Sequence, residues 1–393
     1  MLVELVYSSE ATKYRFGRSH PMQPERFALA VELAEEWGLL GEAGAVVVVP
    51  EQAGDAELLL AHDASYLRAL KTASANAEAW HGGFGIGPGD TPAFLGMHES
   101  AAVAAGATTR ALRDVVSGAC LRAFSPAGGL HHAHRDRAAG FCVYNDPAIA
   151  IAAVTAAHPG MRIAYVDLDA HHGDGVQEAF WERDDVLTVS VHESGSYLYP
   201  GTGRTVEIGA GRGLGYALNV PLPPDAGDDC FALVLAEVVG PALSTFAPDV
   251  IVAQLGADSH RNDPLTHLDT TVAGQFANAR ALVGFAEELC GGRIVATGGG
   301  GYDAYSATPR AWACVLAALL GVEPPAALSD GWRGSAASAS GGLTAPPHAT
   351  FDESAPPPPA EARERALKGT AHVVEQLRGS HPLLQSATTN DRA

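Results

Sequence analysis

Residues 162–175 read Arg162-Ile-Ala-Tyr-Val-Asp167-Leu-Asp169-Ala-His171-His172-Gly-Asp174-Gly175. An apolar run, Arg162–Asp167, is followed at once by carboxylates and imidazoles. A short uninterrupted apolar run of this kind predicts a strand in a sheet covered on both faces. Similar runs occur at Val46–Val49, Val186–Val191, Val250–Leu255 and Arg293–Ala296. Ala-rich segments between them predict helices at Ala28–Glu36, Ser100–Val116, Pro147–Ala157 and Phe231–Leu243. Strand–helix alternation predicts an α/β unit with parallel pairing. Sites in open parallel sheets form beyond the carboxyl ends of strands, which is where Asp167–Asp174 falls.

Residues two apart in an extended chain face one side, so Asp167, Asp169 and His171 are expected to align. Two carboxylates and an imidazole this close are costly unless a cation neutralises them. The run Val250–Leu255 ends in Gly256-Ala257-Asp258, a further carboxylate in the same setting. Asp169, His171 and Asp258 together make a three-ligand site with open positions, as catalytic zinc requires; iron(II) or another first-row ion suits the same donors. A lone Asp would read as a helix cap or loop hydrogen bond. The joint pattern at two strand ends reads as a metal site.

Hydrolysis at such a site needs a base for water and an acid for the leaving amine. Gly128-Gly-Leu-His131-His132-Ala-His134 supplies tandem histidines, suited to both tasks near neutral pH. Asp167 and Asp174 are the spare carboxylates that can set their tautomers. Gly298–Gly301 then Tyr302 follow the last apolar run. The glycines permit close backbone approach, and the phenol of Tyr302 can donate to an oxyanion. A phosphate loop is the rival reading, but neither Gly-Lys-Ser/Thr nor G-x-G-x-x-G spacing is present.

The bulk properties narrow the class. Of the chain's 393 residues, 47% are hydrophobic and 18% charged, enough apolar content for a sizeable core. Its formal net charge of −20 argues against nucleic acid as a partner and favours cationic peptides or amines. Five cysteines without a CxxC pair fit a reducing cytosol. No basic, apolar leader opens the sequence, and no run is read as membrane-spanning, so a cytoplasmic location is expected. Residues 1–320 read as the catalytic domain and 321–393 as an extension. In the extension, Gly334–Gly342 is expected to be loop, and a helix is expected at Ala360–Arg378, with Leu367, Ala371, Val374 and Leu377 on one face and Gly379 as its cap.

The motifs GLHHAHRDRAAGFCVYND, YVDLDAHHGDGVQEAF, QLGADS and GGGGY, in that order, resemble the histone-deacetylase superfamily. The likeness is closest to bacterial deacetylases of the acetoin-utilisation type and runs from about Tyr7 to Ala318. The resemblance implies an arginase-like three-layer α/β/α fold with a mostly parallel eight-stranded sheet. It implies hydrolysis of an acetyl amide on lysine with release of acetate. By motif position, Asp169, His171 and Asp258 would hold zinc. His131 and His132 would form the dyad, partnered by Asp167 and Asp174, and Tyr302 would polarise the acetyl carbonyl. Gly140, Phe141, Tyr199 and Leu265 would line the substrate channel, with Asp90 at the rim. The family also binds potassium. Asp167, Asp169, His171, Ser190 and Val191 match its inner site, and Phe180, Arg183, Val186 and Tyr216 an outer one.

Three rival functions share parts of this pattern. An acetylpolyamine amidohydrolase would use the same chemistry on a thinner cationic substrate. A binuclear manganese ureohydrolase would need more carboxylate ligands than follow Asp174. A non-catalytic acyl-lysine binding module would be expected to have lost metal or proton-transfer groups. His260 and His267, close behind Asp258, are expected to be rim residues or extra polar contacts. No basic cluster for an inositol phosphate is present. Oligomeric state is not specified by the sequence.

Overall fold

A computed structural model describes residues 2–41, 44–80 and 82–385. Eight strands form one sheet: β1 (Val3–Val6), β2 (Val46–Val48), β3 (Arg122–Ser125), β4 (Ile163–Asp167), β5 (Val186–Glu193), β6 (Ala217–Leu222), β7 (Val250–Gln254) and β8 (Ile294–Thr297). Their spatial order is β2-β1-β3-β8-β7-β4-β5-β6. Every neighbouring pair is parallel, where a mostly parallel sheet was expected. Parallel pairing needs a crossover, and helices therefore cover both faces.

Side-chain alternation divides the core. Ile163 and Tyr165 of β4, with Val250 and Val252 of β7, pack on one face beside the helices Met97–Ser117 and Asp146–Ala157. Ala164, Val166, Ile251 and Ala253 face the opposite, larger core. Asp146–Ala157 starts sharply because the Asn145 side chain accepts the N–H of Ala148 (3.0 Å) and a proline stands in its first turn.

Several expectations are corrected. The predicted helix at Phe231–Leu243 is longer, Asp228–Phe246, and its middle turn is π-helical. This 19-residue stretch is long and apolar enough to cross a membrane, contrary to the sequence reading, and just over half of it is buried inside the fold. Gly334–Gly342 is not loop throughout: a helix runs from Asp330 to Ala339, capped by Ser329, whose hydroxyl accepts the N–H of Trp332 (3.0 Å). Trp332 anchors it, fully buried against Leu29, Leu33 and Ala313. The last helix, Ala360–Ser380, buries Ala366, Thr370, Val374 and Leu377. Leu367 and Ala371 point outward, because the buried stripe follows mixed i, i+4 and i, i+3 spacing from Ala366. Gly379 lies within the helix, and His381 is its cap.

Candidate active site

Four adjacent strands, β3, β8, β7 and β4, deliver the site from their carboxyl ends. β4 stops at Asp167, so the two-residue alternation expected for Asp169 and His171 does not continue. Instead the chain coils. Asp167 Oδ1 accepts the N–H of Asp169 (3.1 Å), and Asp169 Oδ1 accepts the N–H of His171 (3.0 Å), two successive turns closed by aspartate side chains. Asp167 is thereby turned toward His131, while Asp169 and His171 turn toward Asp258.

Asp169, His171 and Asp258 form a buried group whose ligand atoms all lie within 4.8 Å of one another. His171 Nδ1 is 3.1 Å from Asp169 Oδ1 and 2.9 Å from Asp258 Oδ2. Gln254 Nε2 donates to Asp169 Oδ2 (2.8 Å), as does the N–H of Gly300 (2.7 Å). The N–H of Ala170 donates to Asp258 Oδ1 (2.8 Å). Burial pushes the Asp258 carboxyl up to about 6, with Asp169 adding to the push. Burial opposes charge on Asp169 too, but cationic His131 and the bond to His171 outweigh it and hold that carboxyl well below the usual range.

The surroundings are cut to this group. A Cβ on Gly256 would meet Asp169 Oδ2 at 2.1 Å, and one on Gly300 would meet Asp258 Oδ2 at 1.8 Å. Glycine is required at both places by close approach. Convergent oxygen and nitrogen donors, glycine walls and mutually frustrated charges fit a divalent cation. Among the described residues no other such group of His, Cys, Asp or Glu occurs, so a second carboxylate-rich metal position, as in a binuclear ureohydrolase, is not found.

The tandem histidines lie in the loop after β3. The side chain of Asp146 accepts the N–H groups of Gly129 (2.9 Å) and Leu130 (2.8 Å), and Asn145 Nδ2 donates to the carbonyls of His131 (3.1 Å) and Ala133 (3.0 Å). The helix start thus also fixes the histidine loop. His131 Nδ1 donates to Asp167 Oδ2 and His132 Nδ1 to Asp174 Oδ1, each at 2.7 Å, and the two Nε2 atoms face each other at 3.1 Å. Burial opposes charge on His131, yet Asp167 and Asp169 raise it to about 9. Burial and the adjacent His131 push His132 down to about 4. The two neighbouring imidazoles are thus pushed in opposite directions. His134, beyond the dyad, joins Glu178 (2.5 Å) and reaches Asp174 Oδ2 (3.4 Å).

Tyr302 stands across the group, its ring 6.4 Å from that of His171. Its N–H donates to Asp263 Oδ2 (2.7 Å), and among the described residues nothing hydrogen-bonds its phenol. Phe141 packs edge-on to Tyr302 (5.7 Å) and Tyr199 edge-on to His132 (5.1 Å). Phe141 has a positive φ of 66°, rare for an aromatic residue. Tyr14 holds it there: its hydroxyl donates to the Phe141 carbonyl (2.6 Å) and accepts the N–H of Val143 (3.0 Å). A Cβ at Gly140 would strike the His132 ring at 2.4 Å. Leu265 is half-buried, its N–H on Asp263 Oδ1 (2.9 Å). Asp90 is exposed, and its carbonyl accepts His20 Nε2 (3.1 Å), whose ring packs on Phe141.

The remaining candidates fall in two places. Ser190 pairs with Asp167 across β4 and β5, and Val191 follows it. Phe180, Arg183, Val186 and Tyr216 lie toward the amino end of β5, where the Phe180 carbonyl accepts the N–H of Arg183 (3.0 Å) and the Tyr216 carbonyl that of Thr188 (2.9 Å). His260 is buried on Glu353, and the exposed His267 pairs with buried Glu193, so both make polar contacts rather than joining the ligand group. Sequence reading missed Tyr14, Arg26, Asp146, Gln254 and Asp263. Arg26 is buried, donates to the Gly301 carbonyl (2.7 Å) and lies over the Tyr302 ring.

Comparison with known proteins meets this geometry from the other side. The histone deacetylase domain model matches residues 20–319. The acetoin utilization protein AcuC of Bacillus subtilis (strain 168) is 40% identical over 329 residues, 83% of this chain and 84% of that protein. AcuC of Staphylococcus xylosus is 37% identical over 83% of this chain and 85% of its own length. Among solved structures, a histone deacetylase homologue complexed with SAHA superposes with a TM-score of 0.83 at 32% identity, covering 96% of this chain and 99% of that one. A homologue from Aquifex aeolicus gives 0.79 at 31% identity, covering 94% and 100%. With the fold, the buried acid–imidazole cluster and the relatives in agreement, the chain belongs to the histone deacetylase family and is an AcuC-like hydrolase of the deacetylase class.

Proposed function

We propose that this chain hydrolyses N-epsilon-acetyl-lysine in proteins, releasing acetate, with zinc held by Asp169, His171 and Asp258. The observation that carries the reading is the open three-donor cluster set against a histidine pair whose two rings each rest on a buried carboxylate. A divalent ion bound there supplies Lewis acidity toward water and toward the acyl oxygen. Iron(II) is the alternative ion for the same donors.

The residues divide the chemistry as follows. Phe141 and Tyr199 grip the methylene stem of the lysine, and Gly140 leaves room for it beside His132. Asp90 at the rim accepts substrate backbone N–H groups, and Leu265 closes the wall. The His131/His132 pair takes a proton from the water as its oxygen bonds to the acyl carbon, with Asp167 holding the His131 ring in place. The Tyr302 phenol donates to the developing oxyanion. The C–N bond then breaks as His132 returns its proton to the departing amine, leaving acetate and free lysine. Asp174 orients His132 throughout.

Exposed Tyr197 and Tyr199 support a peptide substrate, whose flanking residues can cover apolar rings that a thin polyamine would leave bare. Potassium belongs to the same reading. For the inner site, Asp167, Asp169 and His171 share one bend beside Ser190 and Val191; for the outer site, the Phe180 and Tyr216 carbonyls each retain a free lone pair beside Arg183 and Val186. The test is acetate release from panels of acyl-lysine peptides and acetylated polyamines, with metal stripped and then restored. Chelator-sensitive, zinc-restored release from peptides is expected. Faster turnover of acetylspermidine would move the substrate to polyamines, and indifference to chelator would refute the metal chemistry.

A further inference from the structure

The turn that carries Asp258 is anchored from far along the chain. Ala257–Asp263 is organised around His260. The His260 N–H donates to the Ala257 carbonyl (3.2 Å), and its carbonyl accepts the N–H of Asp263 (2.8 Å). Its ring Nδ1 accepts the N–H of Asn262 (3.1 Å). With Nδ1 an acceptor, the neutral ring carries its proton on Nε2. That atom donates to Glu353 Oε2 at 2.7 Å. Glu353 Oε1 accepts the N–H of Val272 (2.9 Å), in the first turn of the helix Val272–Cys290. The fully buried Arg310 guanidinium, 3.8 Å from Glu353, supplies the countercharge.

Two parts of the site hang on this turn. Asp258 lies two residues before His260. Asp263 lies three after it, and its carboxylate accepts the N–H groups of Tyr302 and Leu265. A buried carboxylate is costly to keep, and an apolar side chain of similar size would often serve stability as well. What an apolar residue would not supply is two directional acceptor bonds at fixed positions. Glu353 lies beyond the matched domain, residues 20–319, yet its carboxylate ends on the ligand-bearing turn.

We propose that Glu353 is a positioning residue for the Asp258 and Tyr302 side of the site, acting through His260. The inference rests on the metal-site reading above. Partners that orient metal ligands typically change affinity by about 10- to 100-fold when lost, and Glu353 acts one bond further out, so an effect of about tenfold is expected.

The test uses full-length, zinc-loaded protein and follows zinc transfer to a chromogenic chelator, alongside kcat and KM for peptide deacetylation. Glu353→Ala should release zinc about tenfold faster and lose about tenfold in kcat, with KM changed by less than about threefold. His260→Ala should do the same, and the double variant should be no worse than the worse single one. Ser329→Ala, which removes a helix cap in the same extension, should release zinc at the wild-type rate. Wild-type release from folded Glu353→Ala, or additive effects in the double variant, overturns the proposal. If Glu353→Ala does not fold, His260→Ala, which leaves the Arg310–Glu353 pair in place, carries the comparison, and wild-type release there overturns it. A wild type that retains no zinc overturns the metal-site reading and this inference together.

Discussion

Gly300→Ala adds one methyl group and should disable the site. The new Cβ would lie 1.8 Å from Asp258 Oδ2 and 3.0 Å from Asp169 Oδ2. The backbone has little freedom to withdraw: the Gly300 N–H is held by Asp169 Oδ2 (2.7 Å), and its carbonyl by the N–H of Ala257 (2.8 Å). The Asp258 carboxylate must therefore retreat by about 1 Å or more to reach ordinary contact. A displacement of about 1 Å at a reacting centre costs about 100-fold in rate. Loss of one backbone hydrogen bond would cost only about 1 kcal/mol of stability, so the variant should remain folded. The assay is kcat on an acetyl-lysine peptide at saturating zinc, with bound metal measured in parallel. Expected are a fall of about 100-fold in kcat and substoichiometric metal. Stoichiometric zinc with turnover within about threefold of wild type would show that the glycine wall does not set the ligand position.

Two further outcomes follow from named contacts. Tyr302→Phe removes the phenol that faces the cluster and should lower kcat by about 100-fold with little change in metal content; near-normal turnover would remove Tyr302 from the chemistry. Bonds to Asp174 and Glu178 raise His134 to about 9, above its unfolded value of about 6.5. The stability that His134 adds is thus fully present below about pH 6.5 and is lost as pH rises through about 9. The melting-temperature gap between wild type and His134→Gln should be wide at about pH 6 and nearly closed at about pH 10; equal gaps at both would refute this.

The legible parts of the structure were local in sequence. Arg162–Gly175 announces both a strand and a cluster of carboxylates and imidazoles, the runs of β7 and β8 are nearly pure Val, Ile and Ala, and β5 opens on the Val- and Leu-rich run Val186–Val191. β3 escaped notice because it is four residues long and opens on Arg122, whose guanidinium finds the Leu319 carbonyl and Glu287. β6 escaped because Asn219 and Pro221 interrupt its apolar pattern, although the Asn219 amide nitrogen finds Gln177 and the Glu207 carbonyl inside the fold. β1 conceals a buried Glu4. The helix at Asp330–Ala339 hides in a Ser/Ala/Gly-rich stretch and depends on Trp332 reaching Leu29, some 300 residues earlier. At the site, motif residues were visible, but the groups that aim them were not. Tyr14 beneath Phe141, Asp263 beneath Tyr302 and Glu353 beneath His260 are joined to their targets only through the fold.

The strand order also governs when the site can exist. β3 and β8 are side by side in the middle of the sheet, with Arg122 opposite Ile294. During synthesis, therefore, β3 emerges long before the neighbour that will cover its open side. β4 likewise waits for β7. Until β7 and β8 insert, the nascent chain presents unpaired strand edges at what will become its centre, the kind of surface on which chains join one another. Pairings this distant in sequence are slow to form. The two histidines, Asp169 and His171 are thus made early but gain their remaining partners, Asp258 and Tyr302, only as the last seam of the sheet closes.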